Sequence, residues 1–144
     1  MHPSHPHSPD STSDRLMTVA RALRRGFGTV LSQWEVTPSQ ARALRIVLDH
    51  EPARLSVLAE KLRIAPRSAT EVVDALEARG LVERAPDPAD RRATTVTVTA
   101  EGRRLQALLE EARRTESERF LSTLSKSDRD ELDRILALLV DALA

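Results

Sequence analysis

Two short stretches of the chain concentrate the polar side chains best suited to contact a polyanion. The first is Pro66-Arg67-Ser68-Ala69-Thr70-Glu71. On a helix that starts at Pro66, residues Ala69, Val72, Val73 and Leu76 share one side, and Arg67, Ser68, Thr70, Glu71 and Asp74 are left on the other. An arginine there can donate two parallel hydrogen bonds to guanine, serine and threonine can contact bases or phosphates, and a glutamate can accept from cytosine N4. An ordinary solvated helix face explains this stretch alone equally well.

The second stretch, Asp87-Pro88-Ala89-Asp90-Arg91-Arg92, tips the balance. A hairpin that only reversed the chain would need about two to five residues of Asn, Gly or Asp, not adjacent arginines. Arg91 and Arg92 suit a narrow minor groove, where negative potential is concentrated. Asp90 would repel phosphate, so its expected role is to brace the hairpin by pairing with an arginine.

The elements that must position these stretches follow from patterning. Leu58, Ala59 and Leu62 pack a short helix opening at Leu55-Ser56. Arg63-Ile64-Ala65 is a turn, and the next helix runs from Pro66 to Ala78 or Arg79, where Gly80 suits a left-handed cap. Two helices joined so closely form a helix-turn-helix. Leu81 to Arg84 and Thr94 to Val98 have the β-branched alternation of strands and enclose the segment Pro86 to Arg92 as a hairpin tip. A third, very short strand is expected near Leu55.

Amphipathic helices flank this unit. Leu16, Val19, Ala20, Leu23, Phe27, Val30, Leu31 and Trp34 stripe a helix over about 14–34. Thr37-Pro38 caps a second helix reaching about Glu51, with Ala41, Leu44, Ile46, Val47 and Leu48 inward. After the hairpin, Thr99 caps a helix whose stripe from Leu105 to Leu124 is broken at Thr115, Glu116 and Arg119. Ser127-Asp128-Arg129-Asp130 restarts a last one, striped by Leu132, Ile135, Leu136, Leu139, Val140 and Leu143. Residues 1–13, rich in Pro, Ser and His, read as a disordered tail; His2, His5 and His7 are read as solvated rather than metal-binding.

Composition narrows the chemistry. There is no cysteine, so thiol catalysis, sulfur-ligated zinc and sensing through the chain's own thiol are excluded. His50 is the single histidine outside the tail, and the four glycines form no phosphate loop, so no enzyme is expected and no cofactor. No apolar run is long enough to span a membrane and no signal peptide is visible, which makes a cytoplasmic protein the expectation. Whole-chain charge is zero. Across 54–92, eight basic residues (Arg54, Lys61, Arg63, Arg67, Arg79, Arg84, Arg91, Arg92) face seven acidic ones (Glu60, Glu71, Asp74, Glu77, Glu83, Asp87, Asp90), a net of +1. Contact with DNA must therefore rely on placement.

In order and spacing, Thr37-Pro38-Ser39-Gln40, Leu58-Ala59-Glu60-Lys61-Leu62, Val73 to Arg84, Asp87 to Arg92 and Val98-Thr99-Ala100-Glu101-Gly102 resemble the MarR (multiple antibiotic resistance regulator) family. The resemblance implies a homodimer in which helices from both chain ends interlock while each winged domain reads half of a pseudo-palindrome. It also implies autorepression, and release from double-stranded DNA by a small aromatic or anionic effector. By position, that effector would sit near Arg24, Phe27, Trp34 and Arg42, although an aromatic on a helical stripe usually packs core. Glu71 departs from the basic or neutral residue common there.

The expected fold is mainly α with a small β-hairpin (α+β), a winged helix-turn-helix at 37–100 between an N-terminal dimerisation helix at 14–36 and C-terminal dimerisation helices at 101–144. The interface residues expected are Leu16, Val19, Leu23, Leu132, Ile135, Leu136, Leu139 and Leu143, because unmatched stripes are buried most cheaply against a second copy. DNA contact is expected from Arg67, Ser68, Thr70, Glu71, Arg91 and Arg92, with Asp90 beside them. The rival is a winged-helix protein–protein module without specific DNA binding.

Overall fold

A computed structural model describes residues 11–144 of the chain. Among them are six helices, α1 (Thr12–Ser32), α2 (Pro38–Asp49), α3 (Leu55–Leu62), α4 (Pro66–Ala78), α5 (Ala100–Phe120) and α6 (Lys126–Ala142). Three strands, β1 (Ala53–Arg54), β2 (Val82–Pro86) and β3 (Thr94–Val98), complete the fold. The strands form an antiparallel sheet of order β1-β3-β2, with Ala53 opposite Val96 and Val82 opposite Val98.

Side-chain caps fix most helix starts. Thr37 and Gln40 close a reciprocal capping box at α2. At the far end of the wing Thr99 Oγ1 accepts from Gly102 N at 3.1 Å and donates to Gly80 O at 2.6 Å, so one residue ends the hairpin and starts α5. Gly102 has to be glycine, since a Cβ would lie 2.1 Å from Leu81 O and 2.7 Å from Val98 Cγ1. Gly80, at φ 72°, closes α4 in the left-handed conformation, with Leu81 N donating back to Leu76 O.

The core lies almost wholly in the winged unit. Leu44, Val47, Leu58, Val73, Leu76, Val82 and Val96 are fully buried there, whereas α1 and α6 contain no buried residue. α1 lies along α5, and α6 packs against no other element to a comparable extent.

Several boundaries differ from the sequence reading. α1 begins at Thr12 because Ser11 Oγ accepts from Asp14 N at 3.0 Å, so residues 11–13 belong to the helix and its cap rather than to a tail. His2, His5 and His7 lie outside the described residues. Trp34 falls in the turn after α1, just ahead of Glu35 at φ 55°. α2 stops at Asp49, and Glu51, instead of extending it, accepts from Val98 N at 2.7 Å and pairs with Arg103. The short third strand is Ala53–Arg54, ahead of Leu55. Leu81 belongs to the α4 cap, which moves β2 to Val82–Pro86. α6 starts at Lys126 because Ser125, not Ser127, is its cap, and this leaves Leu121 and Leu124 in the turn.

The polar break in α5 has a physical account. The Glu116 carboxylate sits over Gly26 of α1, where a Cβ would meet its Oε1 at 2.5 Å, and its side chain is 11% exposed. Arg119 donates to both its oxygens, at 3.0 and 2.5 Å, and holds the carboxyl below its ordinary range against the opposing effect of burial. One turn away the Arg113 guanidinium covers the Phe27 ring at 4.6 Å. The break is the contact with α1.

Candidate nucleic-acid interface

α3 and α4 are joined by residues 63–65. Arg63 caps α3 in the left-handed conformation (φ 55°, ψ 46°). Ala65 gives α4 no side-chain cap, and Pro66 stands at its first turn, so the early backbone N–H groups of α4 are left available to an anion. Arg67 and Glu71 are exposed, and neither has an ion pair among the described residues although they stand four apart. Ser68 is half-buried. The Thr70 hydroxyl donates to Pro66 O at 3.1 Å, so it can offer DNA an acceptor more readily than a donor.

Three of the seven acidic groups across 54–92, Asp74, Glu77 and Asp87, are held by arginines of the same unit. Arg84 on β2 reaches across to α4, donating to Asp74 Oδ1 at 2.5 Å, Glu77 Oε1 at 2.9 Å and Thr70 O at 3.3 Å. This tripod fixes the base of the wing to the helix that would enter a groove. Arg79, at the α4 cap, donates to the carbonyls of Trp34 and Glu35 at 3.0 Å each and ties the other end of α4 to the end of α1.

The wing tip has a brace that sequence reasoning missed. Asp87 is 8% exposed; it accepts from Ala89 N at 2.9 Å and from Arg54 Nε at 2.6 Å. The Ala89 N–H first, and then the Arg54 guanidinium, hold its carboxyl below the usual carboxylate range despite burial, which acts the other way. Asp90 meets an arginine more loosely: its Oδ1 accepts from Arg92 N at 3.1 Å and lies 3.7 Å from Arg92 Nε. The main brace is therefore Asp87 with Arg54, and Asp90 shapes the turn. Arg91 is exposed and without an ion pair among the described residues, and the Arg92 side chain is 95% exposed. No signal joined Arg54 to Asp87, 33 residues apart, before β1 was known to lie in the same sheet as the wing.

The MarR family model matches residues 36–94, the segment that holds α2, α3, α4 and most of the wing. An HTH-type transcriptional regulator of Mycobacterium tuberculosis is 36% identical over 107 residues, 72% of this chain and 75% of that protein. This chain belongs to the MarR family. The Bacillus subtilis regulator YsmB is 29% identical over 90 residues, a match spanning 62% of each chain. The solved structure of RV1404 from M. tuberculosis superposes with a TM-score of 0.80 at 31% identity, over 95% of each chain. The chain is thus a winged-helix transcriptional regulator, one in which Arg67 and Arg91 are exposed without an ion pair among the described residues and the Arg92 side chain is 95% exposed.

Members of this family bind DNA and act as dimers. Here Leu16, Val19, Ile135, Leu136, Leu139 and Leu143 are all exposed, Leu143 to 86%, while Leu23 and Leu132 are half-buried. The four residues expected around an effector have these partners in the single chain. Arg42 on α2 donates to Lys61 O at 3.0 Å, Phe27 is under Arg113, Trp34 offers its carbonyl to Arg79, and Arg24 is exposed on α1. A cavity of about 650 Å³ opens between the end of α5 and α6, lined by Leu121, Leu124, Leu132 and Leu136 among polar residues. Among the described residues no helix is long and apolar enough to cross a membrane, and no cluster of His, Cys, Asp or Glu could hold a metal.

Proposed function

We propose that this regulator is a homodimeric, ligand-responsive repressor that reads a pseudo-palindromic operator, with α4 in the major groove and the wing in the minor groove. The observation that carries the reading is the sorting of charge. Asp74, Glu77 and Asp87 are each neutralised by an arginine of the same unit, and Arg67, Arg91 and Arg92 are left pointing outward. With few phosphates neutralised, the salt dependence is shallow for a dimeric repressor. The bare apolar face of α6 is matched most simply by a second copy, which sets two α4 helices about one DNA turn, roughly 34–36 Å, apart. Release by a small aromatic or anionic effector is the regulatory step that family membership suggests, acting in the cytoplasm beside its DNA.

The reading is tested by titrating the protein with a fluorescent duplex from its own upstream region, and with random duplex, at two salt concentrations. Preference for the upstream duplex is expected, and Arg67→Ala and Arg92→Ala should each weaken it by about 1–3 kcal/mol. No preference over random duplex, together with indifference to both substitutions, refutes it and favours a protein–protein module.

A further inference from the structure

The turn between α3 and α4 holds an arginine in a conformation that penalises it. Arg63 lies at φ 55° and ψ 46°, where Cβ crowds the following carbonyl and glycine alone pays no penalty. The backbone of this turn does what any α3 cap requires: Arg63 N donates to Glu60 O at 3.1 Å and Ile64 N to Ala59 O at 3.1 Å. Glycine would serve those bonds equally well. The fold therefore gives no reason for a side chain at this position.

Nor is the side chain used inside the protein. It is exposed and has no hydrogen bond or ion pair among the described residues, including with Glu60 three residues earlier. The carbonyls at the end of α3 are the natural internal partners for a cation here. One of them, Lys61 O, is already taken by Arg42. Arg54, Arg79 and Arg84 of the same unit are each held by a carboxylate or a carbonyl, whereas Arg63, like Arg67 and Arg91, has no ion pair among the described residues and is set apart from those two by its place. That place is the link between the helix that crosses the DNA backbone and the helix that enters the groove.

We propose that Arg63 is a phosphate-binding residue, positioned by its left-handed backbone to clamp the DNA strand that passes between α3 and the start of α4. The inference rests on the operator-binding reading above and adds a contact that carries affinity without sequence preference.

The test measures Tm and operator affinity across a salt series for the wild type, Arg63→Gly, Arg63→Gln and Arg63→Lys. Arg63→Gly relieves the backbone and removes the charge: its Tm should rise by about 2–4 °C. Its affinity should fall on the order of tenfold, equally for operator and random duplex, and its salt slope should lessen by about 1 per half-site. Arg63→Gln should lose the same affinity and slope with Tm unchanged, and Arg63→Lys should restore both. Glycine and glutamine variants that match the wild type in affinity and slope overturn the assignment, as does a glycine variant with no gain in Tm. A wild type that ignores its operator overturns the operator-binding reading and this clamp with it; a specific wild type with an indifferent Arg63→Gly overturns the clamp alone.

Discussion

The winged unit and the helical arms solve opposite problems with the same kinds of residue. In the winged unit apolar side chains are inside, and acidic side chains are drawn into pairs by Arg54 and Arg84, which leaves selected cations on the surface. In the arms the arrangement is inverted. Glu116 is tucked between α1 and α5, while Leu16, Val19, Ile135, Leu139 and Leu143 are exposed. The winged unit is finished within one chain and turns its charge outward, while the arms turn outward an apolar face of the kind that a partner covers. In the homodimer proposed above, each of those large side chains buried at the interface would contribute about 1.5–3 kcal/mol.

The comparison breaks first if the arms need no partner. Replacing Ile135 and Leu139 together with glutamate should convert a dimer into a monomer by sedimentation at micromolar concentration. Operator affinity should fall by about a hundredfold or more, because the two half-sites would no longer be bound as one ligand. The helical circular dichroism of the winged unit should persist. A wild type that sediments as a monomer, or a double variant that stays a dimer, would end the idea that α6 is an interface.

The next effect lies inside the finished unit. Gly102→Ala puts a methyl group 2.1 Å from Leu81 O at the joint between wing and α5, and that neighbour is backbone. A cost of about 2–3 kcal/mol is expected, seen as a Tm lower by about 4–10 °C. The contrast sharpens with Gly28→Ala on α1. A Cβ at Gly28 meets nothing within 4 Å, so that substitution should be neutral or stabilising by up to about 1 kcal/mol through helix propensity.

What could be read from the sequence follows the same division. Local signals placed the elements: Thr37-Pro38, Gly80 and Thr99 act on backbone groups within a few residues, and they mark the true ends of helices. The amphipathic stripes of α4 and α6 were equally legible, since periodicity is local. Contacts that join distant segments were not. Arg54 with Asp87, Arg84 with Asp74, Arg79 with the end of α1, and Glu116 with Gly26 each require the tertiary fold to bring their partners together. Sequence proximity alone points to Asp90, next to the two arginines, as the brace of the wing, whereas the tighter pair joins Asp87 to Arg54 of β1.

The two paired carboxylates offer the finest test, because each reports on one region. The folded-state pKa of Asp87 lies below its ordinary value of 3.8 through the Ala89 N–H and Arg54, and that of Glu116 lies below 4.5 through Arg119. A carboxyl depressed by folding contributes stability that is fully present above its unfolded pKa and is lost as pH falls through the folded one. Both contributions are therefore intact at pH 6 and fade below about pH 4. Asp87→Asn should lower Tm slightly at pH 6, by less than Gly102→Ala does, and its deficit against the wild type should narrow as pH falls below the unfolded carboxyl's range. Glu116→Gln should behave likewise. The regions part in DNA binding at neutral pH: loosening the wing through Asp87 should weaken operator affinity in a minor-groove-dependent way, whereas Glu116→Gln should weaken it only as far as it disturbs the seating of α1 on α5. Equal losses of operator affinity from the two substitutions, with dimerisation unchanged in both, would mean that wing and arms are one mechanical unit and not two.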